Sequence, residues 1–277
     1  MDAAMVAVSR PVSATGRAWS ATAWLCLSVC ILAQIGYPLV SGGTRDTLVI
    51  VVVLSGALTM AADLCRRRGV GRTVAICVGV MATGLAFEVV GTATGVPFGS
   101  YHYAMGRLGP AVASVPLLIC VAWFTGALAV WRVSAVLPLA RPTRVVLAMV
   151  ALVGWDLYLD PQMVADRLWV WDAPGAPTLP GIDDIPLTNY VGWLAMGAVV
   201  FTALTFADPG HCDPSEVGAP GGWFVWTWLG SALAHLVFLP GLTWSAPWGF
   251  VVMGVLGVPA AVTAVRHRST PRQRYPS

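Results

Sequence analysis

Residues 47–65 read TLVIVVVLSGALTMAADLC, and the one charged side chain among them, Asp63, stands near the end. A helix on the surface of a soluble protein shows a polar face every three or four residues. This run shows none until its last turn. It approaches the ~20 residues needed to cross the hydrocarbon core of a bilayer. Comparable apolar runs stand near 19–40, 73–93, 110–131, 145–165, 187–206, 222–240 and 247–265. The chain therefore reads as all-α, a polytopic transmembrane bundle of about eight helices. The number falls to seven if Pro240, Pro247 and Pro259 interrupt the last two runs.

Composition agrees. Of 277 residues, 57% are hydrophobic and 10% charged, against about 25% charged in a soluble domain. The mean hydropathy is +0.74. All sixteen basic residues are Arg, and the net charge of +3 is too small and too dispersed for nucleic-acid binding. Six Cys show no CxxC spacing and read as small buried hydrophobes.

Charge also orients the bundle. With the N-terminus inside, thirteen of the sixteen Arg fall on cytoplasmic segments, and only Arg45, Arg107 and Arg167 lie outside. This follows the positive-inside rule and puts both termini in the cytoplasm. The expected organisation is a cytoplasmic segment over 1–18, one transmembrane domain over 19–265, and a basic cytoplasmic tail over 266–277. The first span lacks a small-residue cleavage site and reads as retained rather than as a signal peptide. The expected location is the plasma membrane of a bacterium.

Ionisable groups within spans are costly and rare, so each is a candidate for function. Glu88 stands in AFEVVGTATG, a turn or two from the outer end of the third run. Apolar surroundings disfavour the charged form of a carboxyl, and a protonated carboxyl is what a general acid must be. Asp156 and Asp160 are four apart, which puts both on one helix face about 40° apart. Two like charges there repel, so the pair is expected to share a proton or a partner. Pro161 follows, and the helix is expected to break or kink there, opening a polar pocket at Asp160-Pro161-Gln162. Asp63, beside Arg66 and Arg67, reads as an interfacial ion pair, and His235 as a bond between helices. Gly91 and Gly95 form a GxxxG read as close helix packing. No cluster of His or Cys suggests a metal, and neither GxGxxG nor a Walker A sequence occurs.

The outer loops add polar and aromatic groups on the side of these carboxyls. Residues 96–103 read VPFGSYHY, and 166–193 read DRLWVWDAPGAPTLPGIDDIPLTNYVGW. Interfacial placement accounts for part of the Trp and Tyr content. It does not account for His102 and Asn189, or for Asp172, Asp183 and Asp184.

Three motifs, in order, resemble a known family. They are EVVGTATGVPFGSYHY at 88–103 with RLGP at 107–110, WDLYLDPQMVADRLWVW at 155–171, and IPLTNYVGW at 185–193. They are similar to the carotenoid biosynthesis membrane proteins that include the CruF-type carotenoid hydratases, and the similarity spans about 25 to 265. The resemblance implies a hydro-lyase that adds water to the terminal double bond of an acyclic carotenoid end, giving a tertiary alcohol. It implies no cofactor and a carotenoid substrate drawn from the bilayer, with other enzymes of carotenoid biosynthesis as candidate partners. The family's polar motif positions carry over to Glu88, Tyr101, Tyr103, Asp156, Asp160, Gln162 and Asn189.

Such a hydration needs a proton donor, a passing tertiary cation and a positioned water. The expected catalytic groups are Glu88 or Asp160 as acid, with Asp156 orienting the acid or the water. Asn189 and Gln162 are expected to hold the water. Tyr101, Tyr103, Trp155 and Trp193 are expected to line the cation site, and His102 is grouped with them as substrate-binding. Two other classes stay open. DLYLD at 156–160 resembles a magnesium–diphosphate motif of a membrane prenyltransferase, although only Asp63 is available as a second acidic site. A non-enzymatic carotenoid-binding protein would also use an aromatic pocket. The topology has a direct check. Green fluorescent protein fused after Ser277 is expected to fluoresce and alkaline phosphatase fused there to stay inactive; the opposite pattern would put the C-terminus outside.

Overall fold

Hydrocarbon offers backbone amides no partners, so the segments of a chain inside it must satisfy their own hydrogen bonds, as helices do. The computed structural model describes residues 13–269. Among them are eight α-helices: α1 (Ala14–Gly36), α2 (Gly43–Arg68), α3 (Val70–Thr94), α4 (Leu117–Ser134), α5 (Arg141–Ala165), α6 (Leu187–Ala207), α7 (Ala219–Val237) and α8 (Ser245–Ser269). Seven are long and apolar enough to cross a membrane. The eighth, α7, is diluted by Trp223, Trp226, Trp228 and several Gly, yet it runs the same depth. Gly218, just before it, faces Asp63 near the end of α2. His235 in its last turn bonds Ser245 at the start of α8. The bundle is thus all-α, with eight helices among the described residues, seven of them candidate membrane spans. The expected N-terminal segment through residue 12, including Arg10, and the tail from residue 270, with Arg272 and Arg274, lie outside the described residues.

Successive helices alternate in direction, which gathers the Arg residues at one end. Asp63 accepts from Arg66 and Arg67, each at 2.8 Å, as the expected ion pair, and Arg132 approaches it at 3.7 Å. Asp208, just past α6, accepts from Arg67 at 2.9 Å and Arg68 at 2.7 Å. Burial alone would raise the Asp208 carboxyl, but these two guanidiniums outweigh it and hold the group below the usual carboxylate range. The network therefore persists at neutral pH and weakens only in acid. Arg144 lies over the Trp131 ring at 3.6 Å and donates to the carbonyl of Trp131 at 2.8 Å.

The helix apolar on every side should be the one the others surround. That is α4, in which every residue from Ala122 to Ser134 is buried. It packs against α2, α3, α5, α6, α7 and α8. Beside it, α5 and α8 approach so closely that a Cβ on Gly154 would lie 2.4 Å from the backbone nitrogen of Met253.

Three expectations change. The fourth run was expected to cross from residue 110, but α4 begins at Leu117, because residues 111–116 form a hairpin instead. α5 does not end at Asp160; it continues through Pro161 to Ala165. A proline removes one N–H and its carbonyl partner near a helix end, and the remaining turn holds. The helix then has 25 residues, about 37 Å, long enough to cross without an interruption. Gly91 and Gly95 do not seat a neighbouring helix. Gly95 closes α3 in the left-handed conformation at φ 75°, and Gly91 leaves room for Phe98 and the Tyr101 phenol, each 2.8 Å from where a Cβ would stand.

The end opposite the Arg cluster is capped by short strands: β1 (Tyr101–Tyr103), β2 (Ala111–Val112), β3 (Val115–Pro116), β4 (Trp169–Trp171), β5 (Thr178–Leu179) and β6 (Ile182–Pro186). They form three antiparallel pairs, β1–β4, β2–β3 and β5–β6. Arg107 ties this cap to α2 through Asp46 at 2.6 Å, and Arg45 bonds Asp166 at 2.7 Å. Because a backbone atom cannot step aside, Gly154→Ala is expected to lower stability by about 1–3 kcal/mol. Gly79→Ala, with open space around it, is expected to leave thermal unfolding in detergent unchanged.

Candidate functional site

The long-range strand pair β1–β4 sets the geometry. Tyr101 pairs with Trp171 and Tyr103 with Trp169. Side chains alternate along a strand, so Tyr101 and Tyr103 point inward and His102 outward. Both phenols meet Glu88, which is 5% exposed on the inner face of α3. Its Oε2 accepts from Tyr101 at 2.5 Å and from Tyr103 at 2.7 Å. Its Oε1 accepts from the indole N–H of Trp123 on α4 at 2.8 Å. Burial first, and then the neighbouring Glu88, push both phenols well above their ordinary range. They therefore keep their protons and remain available as donors.

A second set of carboxyls stands on α5. Asp156 and Asp160 do share a face, and Asn189 on the first turn of α6 bridges them. Its amide nitrogen donates to Asp156 Oδ2 at 2.9 Å and to Asp160 Oδ2 at 2.5 Å. All three residues are buried. The other Asp156 oxygen and the Tyr190 hydroxyl have no partner among the described residues.

Glu88, Asp160 and Asn189 line one cavity of about 50 Å³ together with Tyr101, Tyr103, Trp123, Trp155 and Trp193. No Arg or His lines it. Trp193 stacks at a tilt against Trp123, with ring centres 4.0 Å apart, and meets Trp155 edge-on at 5.8 Å. Tyr101 stacks on Trp171 at 5.6 Å. The result is a small chamber with mostly aromatic and aliphatic walls into which a few carboxyl, amide and phenol groups reach, at the strand-capped end.

Three expected site residues do not line it: Asp156, His102 and Gln162. Asp156 is fully buried and reaches the cavity only through its bond to Asn189. His102 is exposed and bonds Asp172 at 3.0 Å. Gln162 is two residues beyond Asp160, about 200° around the helix, so it faces the opposite way and lines a neighbouring cavity with His235. His235 joins helices through Ser245, as expected. Sequence reasoning missed Trp123, whose partner Glu88 is 35 residues distant, and it did not use the alternation in Trp169-Val170-Trp171. Among the described residues no group of three or more His, Cys, Asp or Glu could hold a metal ion.

Residues 48–258 match the carotenoid biosynthesis protein family. The chain belongs to that family. Glu88, Asp156, Asp160 and Asn189 all fall within the matched range, as do the strand pair and the aromatic walls. A stretch of 124 residues, 43% of this chain, is 29% identical to the bisanhydrobacterioruberin hydratase of Haloarcula japonica and spans 40% of that protein. No solved structure matches the chain.

The donor set on Glu88 has a measurable consequence for this member of the family. Trp123→Phe keeps the ring and removes one donor, leaving Oε1 of Glu88 buried without a partner. It is expected to cost about 1–3 kcal/mol, read by thermal unfolding in detergent, whereas His102→Ala, on an exposed side chain, should cost nothing measurable.

Proposed function

We propose that this protein is a carotenoid hydratase, adding water across the terminal double bond of an acyclic carotenoid end to give a tertiary alcohol. The observation that carries the reading is a buried chamber with two differently equipped carboxyl sites inside an aromatic wall.

Their hydrogen bonds suggest different roles. Three groups that all carry donatable protons surround Glu88, and the indole can only donate, an arrangement that suits an acceptor carboxylate. Asp156 and Asp160 share the Asn189 amide, and no cation lines the cavity that Asp160 faces, so they suit a pair that holds a proton between them. Two carboxyl sites in contrasting environments divide the acid and base work.

In this reading the Asp156–Asp160 pair, through Asp160, delivers its proton to the less substituted carbon of the terminal alkene. The positive charge forms on the carbon bearing two methyl groups. Trp123, Trp155 and Trp193 face that charge with their π-systems, and the Glu88 carboxylate opposes it. Water then bonds to the cation and loses a proton to Glu88, which returns it through the chamber to the aspartate pair. Alkene plus water gives alcohol, with no oxidant or reductant consumed. Gln162 faces the neighbouring cavity, so in this reading Asn189 holds the water. The prenyltransferase reading gains nothing from the geometry, since Asp63 is ion-paired at the far end of the bundle and the α5 carboxyls are closed over by Asn189.

The test is expression in hosts that accumulate lycopene, gamma-carotene or longer acyclic carotenoids, with pigments analysed by liquid chromatography and mass spectrometry. A product one water heavier than its precursor, with the chromophore unchanged, is expected. Glu88→Gln and Asp160→Asn, each at normal expression, are expected to lower its yield by at least about 10²-fold. Full product from both variants removes the acid–base assignment. No new pigment in any host, with the protein well expressed, removes the hydratase reading, and an unchanged pigment that purifies with the protein then favours a binding role.

A further inference from the structure

The chamber around Glu88 and Asp160 measures about 50 Å³, room for a few waters or the end of a chain. Pockets that enclose drug-sized ligands run to roughly 300–1,000 Å³. A long isoprenoid must therefore keep most of its length elsewhere. A second cavity, of about 390 Å³, lies between α1, α2, α5 and α7. The two share a wall made by Val49, Val53, Ala122, Trp155, Leu159 and Met163. They are adjoining rooms rather than separate pockets.

The larger cavity is predominantly apolar, and its rim reaches the outside of the bundle. Ile35 and Leu39, at the end of α1 and just beyond it, are well exposed, as are Leu233 and Phe238 at the end of α7. These residues face the surroundings of the helices, where hydrocarbon lies. Towards the Arg-rich end the same two helices close. A Cβ on Gly222 of α7 would stand 2.9 Å from Leu27 of α1. Higher up, the Trp226 indole donates to the Gln34 side chain at 2.6 Å, forming a sill below the cavity. Contact between α1 and α7 thus reaches the last turn of α1, and the exposed rim of the cavity lies just beyond it, between Ile35 and Leu39 on one side and Leu233 and Phe238 on the other.

We infer that the cavity between α1, α2, α5 and α7 is the binding site for the polyene chain of the substrate, which enters sideways from the bilayer between the outer ends of α1 and α7 and passes its terminal end over Trp155 and Met163 into the chamber. The ligand is a linear, methyl-branched, conjugated hydrocarbon. The cavity's lining matches it, and so does its continuity with a site suited to one alkene end. This rests on the hydratase reading for the identity of the reacting end, but not for the binding of the chain.

The test measures bound pigment separately from product. Wild type, Glu88→Gln, Ala234→Trp, Ser231→Phe and Val237→Trp are purified in mild detergent from a lycopene-accumulating host. Visible absorbance then gives pigment per protein, with monodispersity on gel filtration as the check of folding. Ala234 and Ser231 line the cavity, whereas Val237 does not and is exposed on the same helix. Wild type and Glu88→Gln are expected to hold comparable pigment, Val237→Trp to match them, and the two filled variants to fall at least tenfold. If Ala234→Trp fails to fold, Ser231→Phe decides. Pigment at wild-type level in a folded, filled variant overturns the inference, as does a wild type that carries none. Loss of pigment in the filled variants with no hydrated product from wild type leaves the inference standing and sinks the hydratase reading. Hydrated product undiminished in the filled variants does the reverse.

Discussion

A carboxyl group among hydrocarbon-facing helices has no water to solvate it, and the protein must supply every hydrogen bond that water would have made. At Glu88 the supply is complete and comes from separate parts of the chain. Tyr101 and Tyr103 reach it from the first strand of the cap and Trp123 from the central helix. Each donor must be where it is for the carboxyl to be tolerated. That requirement locks α3, α4 and the β1–β4 pair into one relative position. The placement of the aromatic walls follows, since Trp169 and Trp171 are the registered partners of the two tyrosines.

The Asp156–Asp160 pair is met differently. The Asn189 amide serves both carboxyls and the Trp169 indole also reaches Asp160, while one Asp156 oxygen stays without a partner among the described residues. Buried polar groups are normally satisfied, and an unpaired oxygen next to a second carboxyl calls for an explanation. The contrast with Glu88, which lines the same cavity as Asp160 and has donors on both oxygens, is the physical basis for the different tasks proposed for the two carboxyl sites. The Arg-rich end shows what a purely structural solution looks like. There Asp63 and Asp208 are each matched by guanidiniums, and no oxygen of either is left idle.

The bundle is organised around this asymmetry between its ends. At one end ion pairs and the Arg144–Trp131 stack hold the helices together. At the other the helices are held by a cap of short strands, and the space they leave is divided into a small room walled by aromatics and carboxyls and a larger apolar one. Gly91 and Gly154 mark where this division depends on missing side chains, the first admitting the Tyr101 phenol to Glu88 and the second drawing α8 against α5.

Much of this was legible in the sequence because the solvent is so restrictive. Hydrocarbon permits only segments that satisfy their own backbone, so apolar runs marked most of the helices, and the alternation of Arg between them agrees with an Arg-rich end of the bundle. The helical period put Asp156 and Asp160 together, and rarity marked Glu88 and both aspartates as candidates. The errors arose where local rules met tertiary packing. Proline at 161 was expected to end a helix that its neighbours carry one turn further, and GxxxG was read as a helix seat where an aromatic loop folds back. His102 stands between the two tyrosines and Gln162 two residues past Asp160, but strand alternation and the helical turn direct them elsewhere. Trp123 and the pairing of β1 with β4 had no signal at all, since contacts spanning dozens of residues depend on how the helices assemble. The sequence by itself determined which segments lie in the membrane and which polar groups must be provided for. Only the tertiary structure decided which groups provide for them, because a hydrogen bond depends on distance in space and the pattern along the chain carries only distance in sequence.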